Sequence, residues 1–183
     1  MLNRLIESLE ASPIVKRGEY NYFIHPITDG VPLLEPDLLR EIGCAMVRIL
    51  DLRDVDMIVV AEAMGIHIGV TLSLMTDIPL VIVRKRPYHL PGEVAVHQTT
   101  GYSKGELYLN GVSAGDRVVF IDDVCSTGGT MRAVIGALQH VGAEIADVCV
   151  VICRGEGDVG VPFKSLTTIE VSESQVRVVD TYL

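Results

Sequence analysis

The chain is 183 residues long, 49% hydrophobic and 21% charged, enough apolar mass for one well-covered core and too little length for a second domain of ordinary size. With 15 Lys and Arg against 24 Asp and Glu the formal charge is -9, so a polyanion such as duplex nucleic acid meets net repulsion unless a local basic cluster overrides it. Cys44, Cys125, Cys149 and Cys153 fall inside apolar runs, without C-x-x-C spacing or the density of a disulfide scaffold, and are expected as buried thiols in a reducing compartment.

The opening MLNRLIESLE sets Leu2, Leu5, Ile6 and Leu9 at helical spacing with charges between them, which predicts an amphipathic helix rather than the unbroken apolar core of a signal peptide. Residues 13–36 hold Pro13, Gly18, Pro26, Gly30, Pro32 and Pro36 and predict loop and short strand. Pro36 can open a helix, since its missing N–H falls among donors left unpaired anyway, and Leu38, Leu39, Ile42, Met46, Ile49 and Leu50 carry the stripe of a helix over 36–50. Asp56 to Ala61 predicts a strand closed by the turn Glu62-Ala63-Met64-Gly65, and Ile66, Val70 and Leu74 predict a helix over 66–76.

Leu80 to Val83 predicts the next strand, which ends in Arg84-Lys85-Arg86, the most basic cluster of an acidic chain. From Pro87 to Gly105 only Val94-Ala95-Val96 can make a short strand, and a polar stretch of that length inside a compact unit is either mobile or functional. Leu107-Tyr108-Leu109 reads as a strand entering the turn Asn110-Gly111. Beyond it, Arg117 to Val124 predicts a strand, 129–141 a helix, 145–152 a strand, and 166–171 and 176–180 two edge strands. No apolar run approaches the roughly 20 residues that span a bilayer, so a soluble cytoplasmic protein is expected. Strands alternating with helices predict an α/β fold, a mainly parallel twisted sheet flanked by helices, with ligands gathering beyond the carboxyl ends of the strands.

The strongest chemical signal is the run Val118-Val119-Phe120-Ile121-Asp122-Asp123-Val124-Cys125-Ser126-Thr127-Gly128-Gly129-Thr130. Four apolar residues fit a strand buried on both faces, and Met131, Val134, Ile135, Leu138 and Val141 form a helical stripe ended by Gly142. The polar turn between them sits at a helix N-terminus, where unpaired N–H groups and the positive end of the helix dipole bind phosphate. Gly128 and Gly129 permit close backbone approach, and Ser126, Thr127 and Thr130 add hydroxyl donors. A Walker A loop and a G-x-G-x-x-G fingerprint are both absent, which weakens ATPase and dehydrogenase readings. Asp122 and Asp123 would repel a phosphate, so they must address another part of the ligand. Carboxylates suit sugar hydroxyls or a hydrated Mg²⁺, and the turn as a whole reads ribose 5-phosphate.

That segment resembles the phosphoribosyl pyrophosphate (PRPP) signature of the type I phosphoribosyltransferases. The resemblance extends through Ile24 to Leu34, Glu62-Ala63-Met64-Gly65, and Arg84-Lys85-Arg86 with Leu90-Pro91-Gly92-Glu93. It comes nearest to the archaeal-type hypoxanthine phosphoribosyltransferases, which are closer to the adenine enzymes than to the human-type hypoxanthine-guanine enzymes. It implies one domain over 1–183, with a hood at about 13–34 and a mobile lid at about 87–105. It further implies transfer of 5-phosphoribosyl from PRPP to hypoxanthine, and secondarily guanine, with release of pyrophosphate, in a homodimer; charge and the short apolar runs predict no nucleic-acid or membrane partner.

By the same resemblance Asp122 and Asp123 are the catalytic carboxylates, and Ser126, Thr127, Gly128, Gly129 and Thr130 bind the 5′-phosphate. Ala63, Met64 and Gly65, with Arg84 and Lys85, bind pyrophosphate. Adenine enzymes tend to carry Arg where Met64 stands, which shifts that task toward the backbone, Arg84 and Lys85. Tyr22, Phe23 and Ile27 are candidates to flank the purine, and Tyr102, Ser103 and Lys104 are candidate lid contacts. Mg²⁺ is expected to arrive with PRPP rather than in a site made by protein alone. His25, His67, His89, His97 and His140 lack metal-ligand spacing, and no mechanism of this class needs Cys125 as a nucleophile. Composition does not separate a 6-oxo from a 6-amino purine, so an adenine enzyme and a non-catalytic PRPP- or nucleotide-binding regulator remain as alternatives.

Overall fold

The computed structural model describes residues 2–18, 20–99, 104–155, 157 and 159–183. Helix α1 (Asn3–Glu10) leads into a hairpin of β1 (Ile14–Arg17) and β2 (Tyr20–Phe23), a four-residue helix α2 (Pro26–Asp29) and helix α3 (Pro36–Ile49). Strand β3 (Met57–Ala61), helix α4 (Gly65–Thr76) and strand β4 (Leu80–Val83) follow, then a second hairpin of β5 (Val94–Thr99) and β6 (Lys104–Leu109). The chain finishes with β7 (Arg117–Cys125), α5 (Gly129–Val141), β8 (Glu144–Cys153), β9 (Lys164–Val171) and β10 (Val176–Thr181).

Six strands make one sheet in the order β10-β9-β8-β7-β3-β4. All neighbouring pairs are parallel except β10 with β9. Apolar runs without polar interruption put β7 and β8 at the centre, and their residues alternate between two cores as the pleat requires. Ile58, Val60, Val119 and Ile121 face α1, α3 and α4, whereas Val59, Val118, Phe120 and Val150 face α5 and the inner residues of β6. Phe120 is fully buried, and covering a side chain of that size contributes about 1.5–3 kcal/mol. Helix α4 lies so close to the sheet that a Cβ at Gly69 would meet Val60 Cγ1 at 2.6 Å and Leu80 Cδ1 at 2.7 Å.

Several expectations change. Residues 166–171 are not an edge: β9 pairs with β8 on one side and β10 on the other, leaving β10 and β4 as the two edges. Cys44 is exposed, because α3 buries Leu38, Ile42, Ala45, Met46 and Ile49 and position 44 falls off that stripe. The segment read as loop and short strand also contains α2, which Pro26 opens and the His25 side chain caps by accepting from the Ile27 N–H. Strands β5 and β6 outrun their apolar cores, because ladder pairing carries the polar register Gln98 to Gly105 and Thr99 to Lys104. Among the described residues, no helix is long and apolar enough to cross a membrane.

Candidate active site

The carboxyl ends of β3, β4, β7 and β8 open on one edge of the sheet, and the turns that follow them build the site. Strand β7 delivers Asp122 and Asp123, then turns through Ser126 and Thr127 into α5. Gly128, at φ 73° and ψ 4°, is the N-cap of that helix and provides no side-chain cap. A left-handed residue here aims the first amides of α5 outward without a Cβ in the way. The segment after β8 lies against this turn: the Arg154 N–H donates to the Cys125 carbonyl at 2.7 Å, and a Cβ at Gly157 would stand 3.3 Å from the Gly128 nitrogen.

Asp122 is buried and accepts from the Asp123 N–H at 3.1 Å. Burial pushes its carboxyl up to about 6, against the opposing pull of hydrogen bonds from Asp123 and the Lys85 charge. Burial first, and then the Asp122 charge, hold Asp123 well above the usual carboxylate range. Two such groups side by side call for hydroxyl donors or positive charge from a ligand. Among the described residues, no group of three or more His, Cys, Asp and Glu gathers to hold a metal.

The turn after β3 meets the acid pair. A Cβ at Gly65 would lie 3.0 Å from Asp122 Oδ1, so the N-terminus of α4 and the carboxylates share one wall. The Glu62-Ala63 peptide is cis and Met64 is the N-cap of α4, with no side-chain cap. Met64 points toward the hood side, its Cε 3.6 Å from where a Cβ at Gly30 would sit. Beyond β4, Arg84 Nε donates to Glu62 Oε2 at 2.5 Å and the Lys85 N–H donates to the same oxygen at 3.2 Å.

A cavity of about 190 Å³ opens over the turn. Its floor is Val124, Ser126, Thr127, Gly128, Gly129, Thr130 and Met131, and its roof is Tyr20, Tyr22, Phe23, Thr28 and Arg154. Tyr22 is fixed by donating to Asp29 Oδ1 at 2.7 Å, and the Tyr20 and Ser126 hydroxyls stand 3.4 Å apart. Two of the three residues taken to flank a base, Tyr22 and Phe23, thus line the cavity. Ile27 does not: it is fully buried in the core beneath α2. Tyr102 and Ser103 lie outside the described residues, and Lys104 opens β6 in register with Thr99.

Sequence reasoning missed Tyr20 and Arg154. The Arg154 guanidinium carbon lies 4.1 Å over the Tyr20 ring, and it is the charged residue among those lining the cavity. Its signal was its place directly after the apolar run of β8, the carboxyl end at which such sheets collect ligands. His25, by contrast, has a structural task. It is buried, its ring meets the Ser8 hydroxyl at 2.9 Å, and burial lowers it to about 4.

Comparison with known proteins agrees with this geometry. The family model described as "Phosphoribosyl transferase domain" matches residues 33–183. The chain is 69% identical over 180 residues to the hypoxanthine/guanine phosphoribosyltransferase of Methanosphaerula palustris, covering 98% of each chain. It is 60% identical to that of Methanocella arvoryzae, covering 97% of this chain and 95% of that one. Adenine phosphoribosyltransferase from Thermoanaerobacter pseudethanolicus superposes with a TM-score of 0.74 at 22% identity, over 92% of this chain and 99% of that one. The Trypanosoma brucei adenine enzyme, solved with AMP, pyrophosphate and ribose-5-phosphate, superposes at 0.72 and 21% identity, over 91% and 79%. The structural neighbours share the fold; the family model and the sequence relatives carry the assignment, and by them this chain belongs to the phosphoribosyltransferase family.

Proposed function

We propose that this chain transfers the 5-phosphoribosyl group of PRPP to hypoxanthine and guanine, forming IMP or GMP and pyrophosphate, as a purine-salvage enzyme. The observation that carries the reading is the joining of a bare helix N-terminus to a buried acid pair on one strand, under a cavity roofed by aromatic rings. The names of relatives at 55–69% identity supply the bases.

In this reading the 5′-phosphate sits on Ser126, Thr127, Gly128, Gly129 and Thr130, where amides and hydroxyls meet its oxygens. Asp122 and Asp123 accept from the ribose hydroxyls, whose O–H donors answer the demand that burial creates. Pyrophosphate leaves toward Ala63, Met64, Gly65, Arg84 and Lys85, where amide donors and side-chain charge take up the negative charge of the leaving group. Tyr22 and Phe23 flank the base; Ile27 supports them from the core. The segment about 87–105, with Tyr102, Ser103 and Lys104, is the lid that excludes water from the ribosyl centre. Residues 13–34 form the hood of a single domain over 1–183.

Mg²⁺ enters as part of the PRPP substrate, and it fits a site whose two carboxylates are both raised by burial despite the nearby Lys85 charge. When bound it supplies positive charge to the diphosphate. The chain's own residues position the reactants, and no covalent intermediate with the enzyme is required. The cytoplasm suits its three buried free thiols. Helix α4 carries no charged residue and exposes Val70, Leu74 and Met75, a face suited to the homodimer that we expect.

The test is a panel of bases. The protein is mixed with Mg²⁺, PRPP and hypoxanthine, guanine, adenine, xanthine or orotate in turn, and pyrophosphate release is measured. Release with hypoxanthine and guanine is expected; release with adenine alone would replace the substrate assignment, and binding of PRPP without release under any base would make the protein a regulator.

A further inference from the structure

Glu62 and Arg84 are each the first residue beyond a strand. The parallel register of β3 and β4 sets Ala61 beside Val83, so both side chains leave the sheet at one level. Their backbones are fixed before the side chains meet. The Glu62 N–H donates to the Val83 carbonyl at 3.0 Å, and Arg84 exchanges two backbone bonds with Tyr108, at 3.0 and 2.7 Å. From these anchors one oxygen, Glu62 Oε2, accepts from both Arg84 Nε and the Lys85 N–H. The side chains of Glu62 and Arg84 are 24% and 34% exposed, which keeps solvent from dissolving the pair.

By charge alone a carboxylate is the wrong neighbour for a site that receives pyrophosphate. Glu62 cancels one of the three positive charges that Arg84, Lys85 and Arg86 bring to the strand end. What the carboxylate does supply is direction. It engages the guanidinium through Nε only, and among the described residues the two terminal nitrogens of Arg84 have no hydrogen-bond partner. Those nitrogens are the edge that meets phosphate oxygens in a bidentate way. An arginine loose at a strand end loses rotamer freedom when it binds, whereas one already held loses little.

We infer that Glu62 is a positioning residue for the leaving pyrophosphate, holding Arg84 by Nε so that the outer edge of its guanidinium is free to take the anion. The inference rests on the assignment of Arg84 to pyrophosphate under the proposed function.

The opposite signs of the two effects of Glu62 make it testable. Magnesium pyrophosphate is titrated calorimetrically into the IMP-saturated protein for wild type, Glu62→Ala, Glu62→Gln, Arg84→Ala and Glu62→Ala with Arg84→Ala, and the Kd of IMP alone is measured for each. Loss of positioning weakens pyrophosphate binding about tenfold in Glu62→Ala and less in Glu62→Gln, which keeps an acceptor oxygen. The double variant should then be no weaker than Arg84→Ala, since Glu62 acts through the arginine, and IMP affinity should hold throughout. Tighter or unchanged pyrophosphate binding in Glu62→Ala and Glu62→Gln, or losses that add in the double variant, would overturn the inference while leaving Arg84 a ligand. Unchanged binding in Arg84→Ala would overturn it together with the pyrophosphate assignment. If Glu62→Ala does not fold, the sign of the change in Glu62→Gln decides.

Discussion

At the amino ends of the parallel strands Arg117 and Lys164 are held by opposite charges, whereas at the carboxyl ends the most buried charge, Asp122, lies beside a second carboxylate. Arg117, at the start of β7, donates to Asp51 and Glu144 and to the Arg53 carbonyl, and its own N–H donates to Asp56. Lys164, at the start of β9, donates to Asp147 at 2.5 Å and to the Ile49 carbonyl at 2.7 Å. At the other edge Asp122 is buried with the half-buried Asp123 beside it, and α5 begins on a glycine without a side-chain cap. One edge is satisfied by the protein; the other waits for a ligand to satisfy it. Stability and function are thereby separated across some six residues of strand, and substitutions at the two edges should fail in different ways.

The largest effect is expected from Asp122→Asn with Asp123→Asn. Under the proposed function this removes the groups assigned to the ribose hydroxyls, and transfer should fall by roughly 10³-fold or more. The fold should not suffer, because neutral isosteres relieve a buried charge. Pyrophosphate release and a thermal melt read both together. Wild-type turnover in this variant, or a molecule that no longer folds, would erase the distinction between the edges. Next in size is Gly128→Val. A β-branched residue at φ 73° is strained, and its side chain would stand where the proposed function seats the 5′-phosphate. The affinity for PRPP should drop about 10- to 100-fold by isothermal titration, a loss of about 1.4–2.8 kcal/mol.

Why the satisfied edge escaped the sequence and the unsatisfied one did not follows from how each is built. The acid pair and the turn after it lie in one continuous run, from Val118 to Thr130, so strand, acids, turn and helix start are neighbours in the chain as well as in space. Arg117, Asp51, Glu144, Asp147 and Lys164 come from four separated segments, and only the strand order β9-β8-β7-β3 brings them together. Arg154 and Tyr20 belong to the same class: each is one residue, and its place over the turn depends on the hood hairpin meeting the end of β8. Ile27 shows the converse limit. A helical turn of only four residues buries it, and an apolar residue in a loop-rich segment carries no periodicity to say which way it faces. The sheet itself was legible because β7 and β8 carry the unbroken apolar runs Val118 to Ile121 and Val148 to Ile152, whereas the internal position of β9 depends on pairing with β10 that no local pattern encodes.

The acid pair also imposes a pH dependence on stability. Asp122 has its folded value raised from 3.8 to about 6, so the folded state binds more protons than the unfolded state between those values. Unfolding free energy therefore falls as pH rises through that window, and the lost stability is not regained above it. The double Asn variant should lack this decline. Chemical denaturation at pH 4, 5, 6 and 7 measures it, and a ligand-free wild type that gains stability from about pH 4 to 6 relative to the variant would contradict the burial of the pair.

At the satisfied edge, Lys164→Met should cost stability and spare binding. The substitution leaves Asp147, whose side chain is 10% exposed, without its ion partner. Because the lysine is itself 29% exposed, the loss should be about 1–3 kcal/mol, below that of a fully buried pair. The thermal midpoint should fall by roughly 3–10 °C, with the affinity for IMP unchanged. A change in IMP affinity would mean that the two edges are coupled through β8.

The smallest effect is expected from Arg53→Ala. Arg53 makes two hydrogen bonds to Asp51 through its guanidinium, and they hold the Asp51 carboxyl well below the usual range. Geometry alone would rank this with the Lys164 pair. Its side chain, however, is 86% exposed, so water replaces those bonds at little loss and salt screens the charge. Asp51 also keeps a second cation: Arg117 is 24% exposed and lies 3.5 Å away. Arg53→Ala should therefore leave the thermal midpoint within the scatter of replicate melts at physiological salt, while Arg117→Ala, which also frees Glu144 and the Arg53 carbonyl, lowers it measurably. Equal losses in the two variants would show that exposure does not grade the pairs at this edge, and that the network acts as one unit.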